Sequence, residues 1–272
     1  MARRLVRKMR GGSQAHLLEV SDGRAYVVKF ENNPQHRRTL VNEWIAARFL
    51  SYLGLSTPEP AMILVTEEFL ASNPGVYLQA GNKRFAPTVG WHFGSSFPGD
   101  PARLAVYDFL PDVLLPRVEN LTEFLGMLVF DKWIGNADSR QAIFFGAPLA
   151  PSSAMENTPR LGFTAQMVDN GYAFGGPDWR LRESPMQGLY FPPVVYHSVR
   201  GFGDFEPWLG RIGCFPEEIV GWVWKEIPPE WLAEDGAELE RLLERLLARR
   251  RRLPDLIADC RNARVVLFPA WS

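Results

Sequence analysis

The chain has 272 residues, 46% hydrophobic and 12% aromatic, enough for a substantial core and too apolar for global disorder. Such a length is large for one domain and natural for two lobes sharing a cleft. Thirty Lys and Arg against 31 Asp and Glu give a net charge of −1, without the basic excess of a dedicated nucleic-acid binder.

The opening Met1 to Arg10 is basic but lacks the apolar run of a signal peptide. No stretch approaches the ~18 apolar residues of a membrane span. Cys214 and Cys260 make no disulfide framework and are expected as reduced thiols, which points to the cytoplasm. After Gly11-Gly12-Ser13-Gln14, the runs Leu17–Val20 and Ala25–Phe30 read as two strands around a tight Ser21-Asp-Gly-Arg24 turn. From about His36 to Leu53, Leu40, Trp44, Ala47 and Leu50 recur at helical spacing, and Gly54 sits where a left-handed cap would end the helix. Strands are expected over 59–67 and 88–93, with 71–87 carrying turn formers and little periodicity. The glycine- and proline-rich Gly94 to Pro101 marks a lobe boundary, giving lobes of residues 1–94 and 95–272.

Beyond it the pattern is mainly helical. Asn120 with Glu123 resembles a capping box opening a helix from Leu121 to Ile134, apolar on most sides, and Gly135-Asn136 would stop it. Short strands at 143–145 and 163–168 flank a polar loop, Ala147 to Arg160. Residues 170–203 lack a period, and a loop that long is usually functional or mobile. Leu239, Leu242, Leu243, Leu246 and Leu247 form one helical stripe, with Arg249 to Arg252 expected as its solvated C-terminal end.

Four residues in this order make the parts list of a phosphoryl-transfer site: Lys29 on a strand, Glu43 on the next helix, Asp138 in a polar loop, and Asp169 in Asp-Asn-Gly171, about 30 residues further on. Lys29 would contact the phosphates of ATP and Glu43 would hold it. Asp138 would take the acceptor hydroxyl's proton. Asp169 would ligate Mg²⁺, a hard cation suited to carboxylate oxygen. Gly171 would let the backbone turn through positive φ, and backbone N–H groups near Gly11 and Gly12 would form a nest over the phosphates. The scattered His and Cys show no zinc-like spacing. Neither a Gly-x-Ser-x-Gly elbow nor a strand-linked Gly-x-Gly-x-x-Gly is present, leaving hydrolase and dinucleotide-binding readings without support.

The segments Ala25–Phe30, Leu40-Val-Asn42-Glu43 to Leu50, Leu53-Gly-Leu55, Phe130-Asp-Lys-Trp-Ile-Gly-Asn-Ala-Asp-Ser-Arg-Gln141 and Val168-Asp-Asn-Gly171 resemble HipA-like kinases of bacteria. That resemblance, over roughly residues 10–175, implies an α+β, bilobal protein-kinase-like fold with a small sheet-rich N-lobe and a larger helical C-lobe. It implies ATP and Mg²⁺ as cofactors, phosphorylation of a protein Ser or Thr, possible toxin-like action and an antitoxin-like regulator. It matches Lys29, Glu43, Asp138 and Asp169 to the phosphate lysine, its helix partner, the catalytic aspartate and the metal aspartate. Gly12-Ser13-Gln14 resembles part of the family's phosphate loop, and His92 with Phe93 falls near the hinge whose backbone would read adenine. Trp91 or a neighbour would stack on the base. Arg140 would pair with Asp138 or contact phosphate, and Ser184 and Tyr190 would lie in an activation segment.

Two positions depart from the pattern. Met9 stands where related kinases have a regulatory serine. Ile143 stands five residues after Asp138, where the superfamily usually has a second metal-ligating Asn, leaving Gln141, Asn136 or a residue outside the motif as substitutes. Two alternatives stay open: a degenerate kinase serving as a nucleotide-binding interaction module, and a kinase acting on small molecules.

Overall fold

The basic opening folds as an edge strand, β1 (Ala2–Lys8), paired antiparallel with β2 (His16–Val20). With β3 (Ala25–Lys29), β4 (Pro60–Val65) and β7 (Gly90–Ser96) it makes a five-stranded antiparallel sheet in the order β1-β2-β3-β7-β4. The computed structural model describes residues 1–148 and 161–272. The β2–β3 turn is the expected one: Gly23 takes φ +80°, and the Asp22 carboxylate accepts from the Arg24 N–H at 2.8 Å. Asn73 closes part of the outer edge of β1, its side chain accepting from Leu5 N–H at 3.0 Å and donating to the Arg3 carbonyl at 3.4 Å.

Alternation along the strands divides the sheet's two faces. Leu18, Val20, Tyr26, Val28, Phe30, Ile63 and Val65 build a small core on one side. It is covered by α2 (Glu67–Ser72), which follows β4, and it continues into the hairpin of β5 (Leu78–Ala80) and β6 (Lys83–Phe85). The two strands of the hairpin lie in the stretch 71–87 that carries turn formers, and all three elements are too brief for any periodicity. The other face presents Val27, Lys29, Phe93 and Ser95 to a cleft. Strand β7 runs on through Gly94 to Ser96, so the glycine-rich stretch begins inside the sheet; a Cβ at Gly94 would come within 2.6 Å of Ile63.

Helix α1 (Arg38–Leu53) ends as expected at Gly54, with φ +71° and its N–H bonded to the Leu50 and Ser51 carbonyls. It is buried on nearly every side, and its residues join the larger core. Phe49 stacks on Trp133 with ring centroids 5.6 Å apart and meets Phe215 at 4.8 Å.

Trp133 belongs to α3 (Glu123–Ile134), the central helix of the second lobe, capped by Gly135 at φ +60°. The capping box expected at its start is not formed. Asn120 instead bonds both backbone groups of Ala165, and the Glu123 carboxylate accepts from Ser56 N–H at 2.6 Å. Both side chains serve tertiary contacts, which sequence spacing does not reveal. Beside α3 lies a sheet in the order β10-β9-β8, from β8 (Val106–Tyr107), β9 (Gln141–Pro148) and β10 (Leu161–Val168). Most of the expected polar loop Ala147 to Arg160 lies outside the described residues.

The remainder is α4 (Trp208–Gly213), α5 (Glu217–Glu226), α6 (Pro229–Leu232), α7 (Gly236–Arg249) and α8 (Leu253–Ala263), joined by short 3-10 turns. The leucine stripe of α7 is buried as expected, whereas the arginine run is solvated only in part, at Arg251 and Arg252. Arg249 is buried, donating to the Lys132 carbonyl and to Glu183, and a single turn carries the chain into α8. Among the described residues no helix is long and apolar enough to cross a membrane.

Candidate active site

Between the lobes lies a cleft of about 770 Å³, and Lys29, Glu43, Asp138 and Asp169 all line it. Strand β3 aims Lys29 into the cleft and α1 places Glu43 opposite. Lys29 Nζ donates to Glu43 Oε1 and, at 2.8 Å, to Asp169 Oδ1. Lys29 and Glu43 side chains are only 12% and 4% exposed. Burial opposes the ammonium charge, yet the two carboxylates outweigh it and raise the Lys29 pKa, so the lysine stays a cation. In return, the Lys29 charge holds Asp169 below the usual carboxylate range against the effect of burial, with Arg140 and Gln141 adding to it.

Asp169 follows β10 and sits at φ +61°. Gly171, expected to supply the positive φ of this turn, does not have it; the left-handed residue is Asp169 itself, which an Asp tolerates better than most side chains. Gln141 at the start of β9 donates from Nε2 to Asp169 Oδ2 at 3.1 Å. A half-turn of that carboxamide presents oxygen instead of nitrogen. Among the described residues no group of three or more His, Cys, Asp and Glu is placed to hold a metal. A divalent cation such as Mg²⁺ takes one or two carboxylates and completes its shell with water and substrate phosphates, so Asp169 and Gln141 would be the protein groups to hold it.

Asp138 is exposed on the cleft wall, in the loop that leaves α3. Its Oδ1 accepts from Ser139 N–H at 2.8 Å, and its own N–H is held by Asn136 Oδ1 at 3.1 Å. Beneath the loop is an ion pair that sequence reasoning missed. Arg140 is fully buried and fork-bonded to Asp131, with Nε to Oδ2 at 2.8 Å. Its remaining nitrogen reaches the Val168 carbonyl at 2.8 Å and Asn170 Oδ1 at 3.0 Å, tying the Asp138 loop to the Asp169 loop. Burial works against the guanidinium, and Asp131 more than restores it, raising its pKa. Arg140 therefore pairs neither with Asp138 nor with the cleft. Asn136 is fully buried and does not line the cleft, its amide oxygen accepting from Asp138 N–H and its nitrogen donating to Asp131 at 3.0 Å.

A profile of HipA-like kinases matches residues 3–147. The chain belongs to the HipA-like kinase family. No curated protein matches it. Among solved structures it is similar to the Golgi casein kinase with Mn/ADP bound, at a TM-score of 0.51 and 13% identity, covering 98% of this chain and 75% of that one. A second structure of the Golgi casein kinase gives a TM-score of 0.50 at 13% identity, over 98% and 74%. The fold is therefore the bilobal, α+β protein-kinase-like one expected.

In this HipA-like kinase the turn between β1 and β2 overhangs the cleft. Gly11, Gly12 and Ser13 line it, together with Arg7, Lys8 and Arg10. Gln14 does not: at φ +51° its amide bonds both backbone groups of Gln79, at 2.6 and 2.8 Å, moored to the β5–β6 hairpin. Phe93 faces the cleft, but His92 points to the opposite side, as alternation along β7 requires. Its ring accepts from Glu31 N–H at 2.9 Å, contacts the Thr88 carbonyl at 2.8 Å and packs on Phe30. Trp91 is half exposed, away from the cleft, and its carbonyl accepts from the Trp231 indole at 2.7 Å. The linker that borders the cleft is Ser95 to Pro98, just past the expected hinge. On its far side a second concavity of about 880 Å³ holds none of the four key residues.

The segment 184–190 packs under the Asp138 loop. Lys132 Nζ donates to the carbonyls of Ser184, Pro185 and Gln187, Gly188 N–H to the Asp138 carbonyl at 3.2 Å, and Arg140 N–H to the Leu189 carbonyl. Tyr190 is buried against Phe124, with centroids 4.5 Å apart, whereas Ser184 is exposed.

Proposed function

We propose that this HipA-like kinase transfers the γ-phosphoryl group of ATP, with Mg²⁺, to the hydroxyl of a protein serine or threonine. The observation that carries the reading is Lys29, held between Glu43 and Asp169 in a cleft that also presents Asp138. Lys29 neutralises phosphate oxygens, and Glu43 fixes its position. The Gly11–Ser13 backbone covers the phosphates from above. Asp169, with Gln141 beside it, would hold the metal, which when bound screens the charge of the transferring group. Asp138 accepts the proton of the attacking hydroxyl as its oxygen bonds to the γ-phosphorus, and ADP departs with the electron pair of the broken P–O bond. A cytoplasmic setting agrees with the free thiols of Cys214 and Cys260.

Ile143 supports a second reading, binding of nucleotide without transfer. It lies on the cleft wall and offers no ligand atom for a second metal. Calorimetry of ATP with and without Mg²⁺ on the wild type and Asp169→Asn tests the site. Metal-dependent binding that the substitution removes supports both readings, and absence of binding to folded wild type refutes both. Radiolabelled transfer then separates them: the kinase reading requires transfer by the wild type, abolished in Asp138→Asn with ATP affinity retained.

A further inference from the structure

Asn42 precedes Glu43 on α1 and is fully buried, yet nothing in the chemistry above uses it. Its Nδ2 donates to three carbonyls of the chain that follows Asp169: Gly171 at 2.8 Å, Ala173 at 3.0 Å and Gly176 at 3.3 Å. Its Oδ1 accepts from the Trp179 indole at 2.8 Å. Every polar atom of the amide is thus spent on residues 171–179, a costly arrangement for α1 to abandon. The same segment is bonded from the other side by the Asp138 loop, with Ala137 N–H to the Tyr172 carbonyl at 2.9 Å and Gly175 N–H to the Gly135 carbonyl at 3.0 Å.

One turn earlier on α1, Arg38 repeats the attachment. It donates to the Pro177 carbonyl at 3.1 Å, lies over the Trp179 ring at 4.3 Å, and forks onto Asp235 while reaching Glu238 on α7. At the far end Arg48 pairs with Glu226 on α5, and Arg211 on α4 donates to the Leu53 carbonyl at 2.9 Å. With its hydrophobic residues in the core of the second lobe, α1 is bolted along its whole length.

We propose that Asn42 is a positioning residue that joins α1 and the metal loop into one body, so that Glu43, Lys29 and Asp169 are assembled in the resting protein. In the general scheme of protein kinases, the lysine–glutamate pair and the metal aspartate must both be in place, and displacement of the glutamate's helix is a common means of control. Here the helix cannot withdraw Glu43 without breaking the amide's bonds to the loop that carries Asp169. The site is therefore competent without phosphorylation of the 184–190 segment.

The inference rests on the proposed Mg·ATP site and is tested on binding, without turnover. ATP affinity of Asn42→Ala is measured by calorimetry across a Mg²⁺ titration and again without metal. Because residues that orient a metal ligand typically alter metal affinity ten- to a hundredfold, the Mg²⁺ midpoint is expected to rise roughly tenfold or more. Affinity without metal should stay unchanged, and excess Mg²⁺ should restore binding; a residue serving only stability would leave the midpoint where it is. Trp179→Phe removes the N–H that orients the amide, together with part of the ring under Arg38, and should shift the midpoint the same way by a smaller factor, which keeps the test open if Asn42→Ala does not fold. An unmoved midpoint in a folded variant overturns the inference while leaving the site intact. A wild type that binds no Mg·ATP overturns the proposed function itself.

Discussion

The ion pair beneath the Asp138 loop gives a quantitative prediction. The Arg140 and Asp131 side chains are 1% and 0% exposed, so neither can turn to water when its partner is lost. Arg140→Ala strands the Asp131 carboxylate and leaves the Val168 carbonyl and Asn170 Oδ1 without their donor. Breaking a buried pair from one side costs about 3–5 kcal/mol. At about 2 °C per kcal/mol for a chain of this size, the melting temperature should fall by about 6–10 °C in scanning calorimetry. Arg140→Lys should recover little, because one ammonium cannot fork onto Asp131 and also reach the two acceptors on the far side. Arg140→Met combined with Asp131→Leu should melt above Arg140→Ala, since an apolar pair removes the stranded charge. A loss below about 1 kcal/mol for Arg140→Ala would refute the view that this pair supports the loop.

Two further predictions concern acid stability and the segment under the loop. Burial lowers the His92 pKa to about 4, whereas an unfolded histidine titrates near 6.5. Between those values the unfolded chain binds a proton that the native ring refuses, so this contribution to stability falls with falling pH, by about 3 kcal/mol at full effect. Urea midpoints at pH 7 and 4.5 should therefore converge between wild type and His92→Gln as acid is added, and a difference independent of pH would refute the assignment. Gly188 lies at φ +69°, and a Cβ there would sit 2.1 Å from the Asp131 Cβ. Backbone strain and overpacking together should make Gly188→Ala about 2–5 kcal/mol less stable by thermal melting, and a variant that melts with the wild type would contradict the packing described.

The sequence was most legible where a local rule acts alone. The Asp-Gly turn, the helix stopped at Gly54 and the burial of the α7 stripe each follow from a few adjacent residues. The order Lys29, Glu43, Asp138, Asp169 was legible because phosphoryl transfer restricts the residue types, and the structure brings all four to one cleft. What stayed hidden is decided by partners far along the chain. Asn120 and Glu123 have the spacing of a capping box, yet strand β10 and Ser56 compete successfully for their side chains. Arg140 reads as a partner of Asp138 or a phosphate contact until Asp131, nine residues earlier, is seen facing it across the helix end. His92 was placed by proximity to the hinge, whereas the period-two alternation of β7, registered against Phe93, assigns it to the opposite face.

Asn73 bears on how this protein behaves in a crowd. A bare strand at a sheet's rim is a template onto which another chain can lay its own backbone, the first step toward strand exchange or fibres. Here a side chain already occupies Leu5 N–H and the Arg3 carbonyl. A second copy approaching along the same rim would also bring Arg3, Arg7 and Lys8 against their own likeness. Another strand laid along β1 would therefore have to displace the Asn73 side chain before it could pair there.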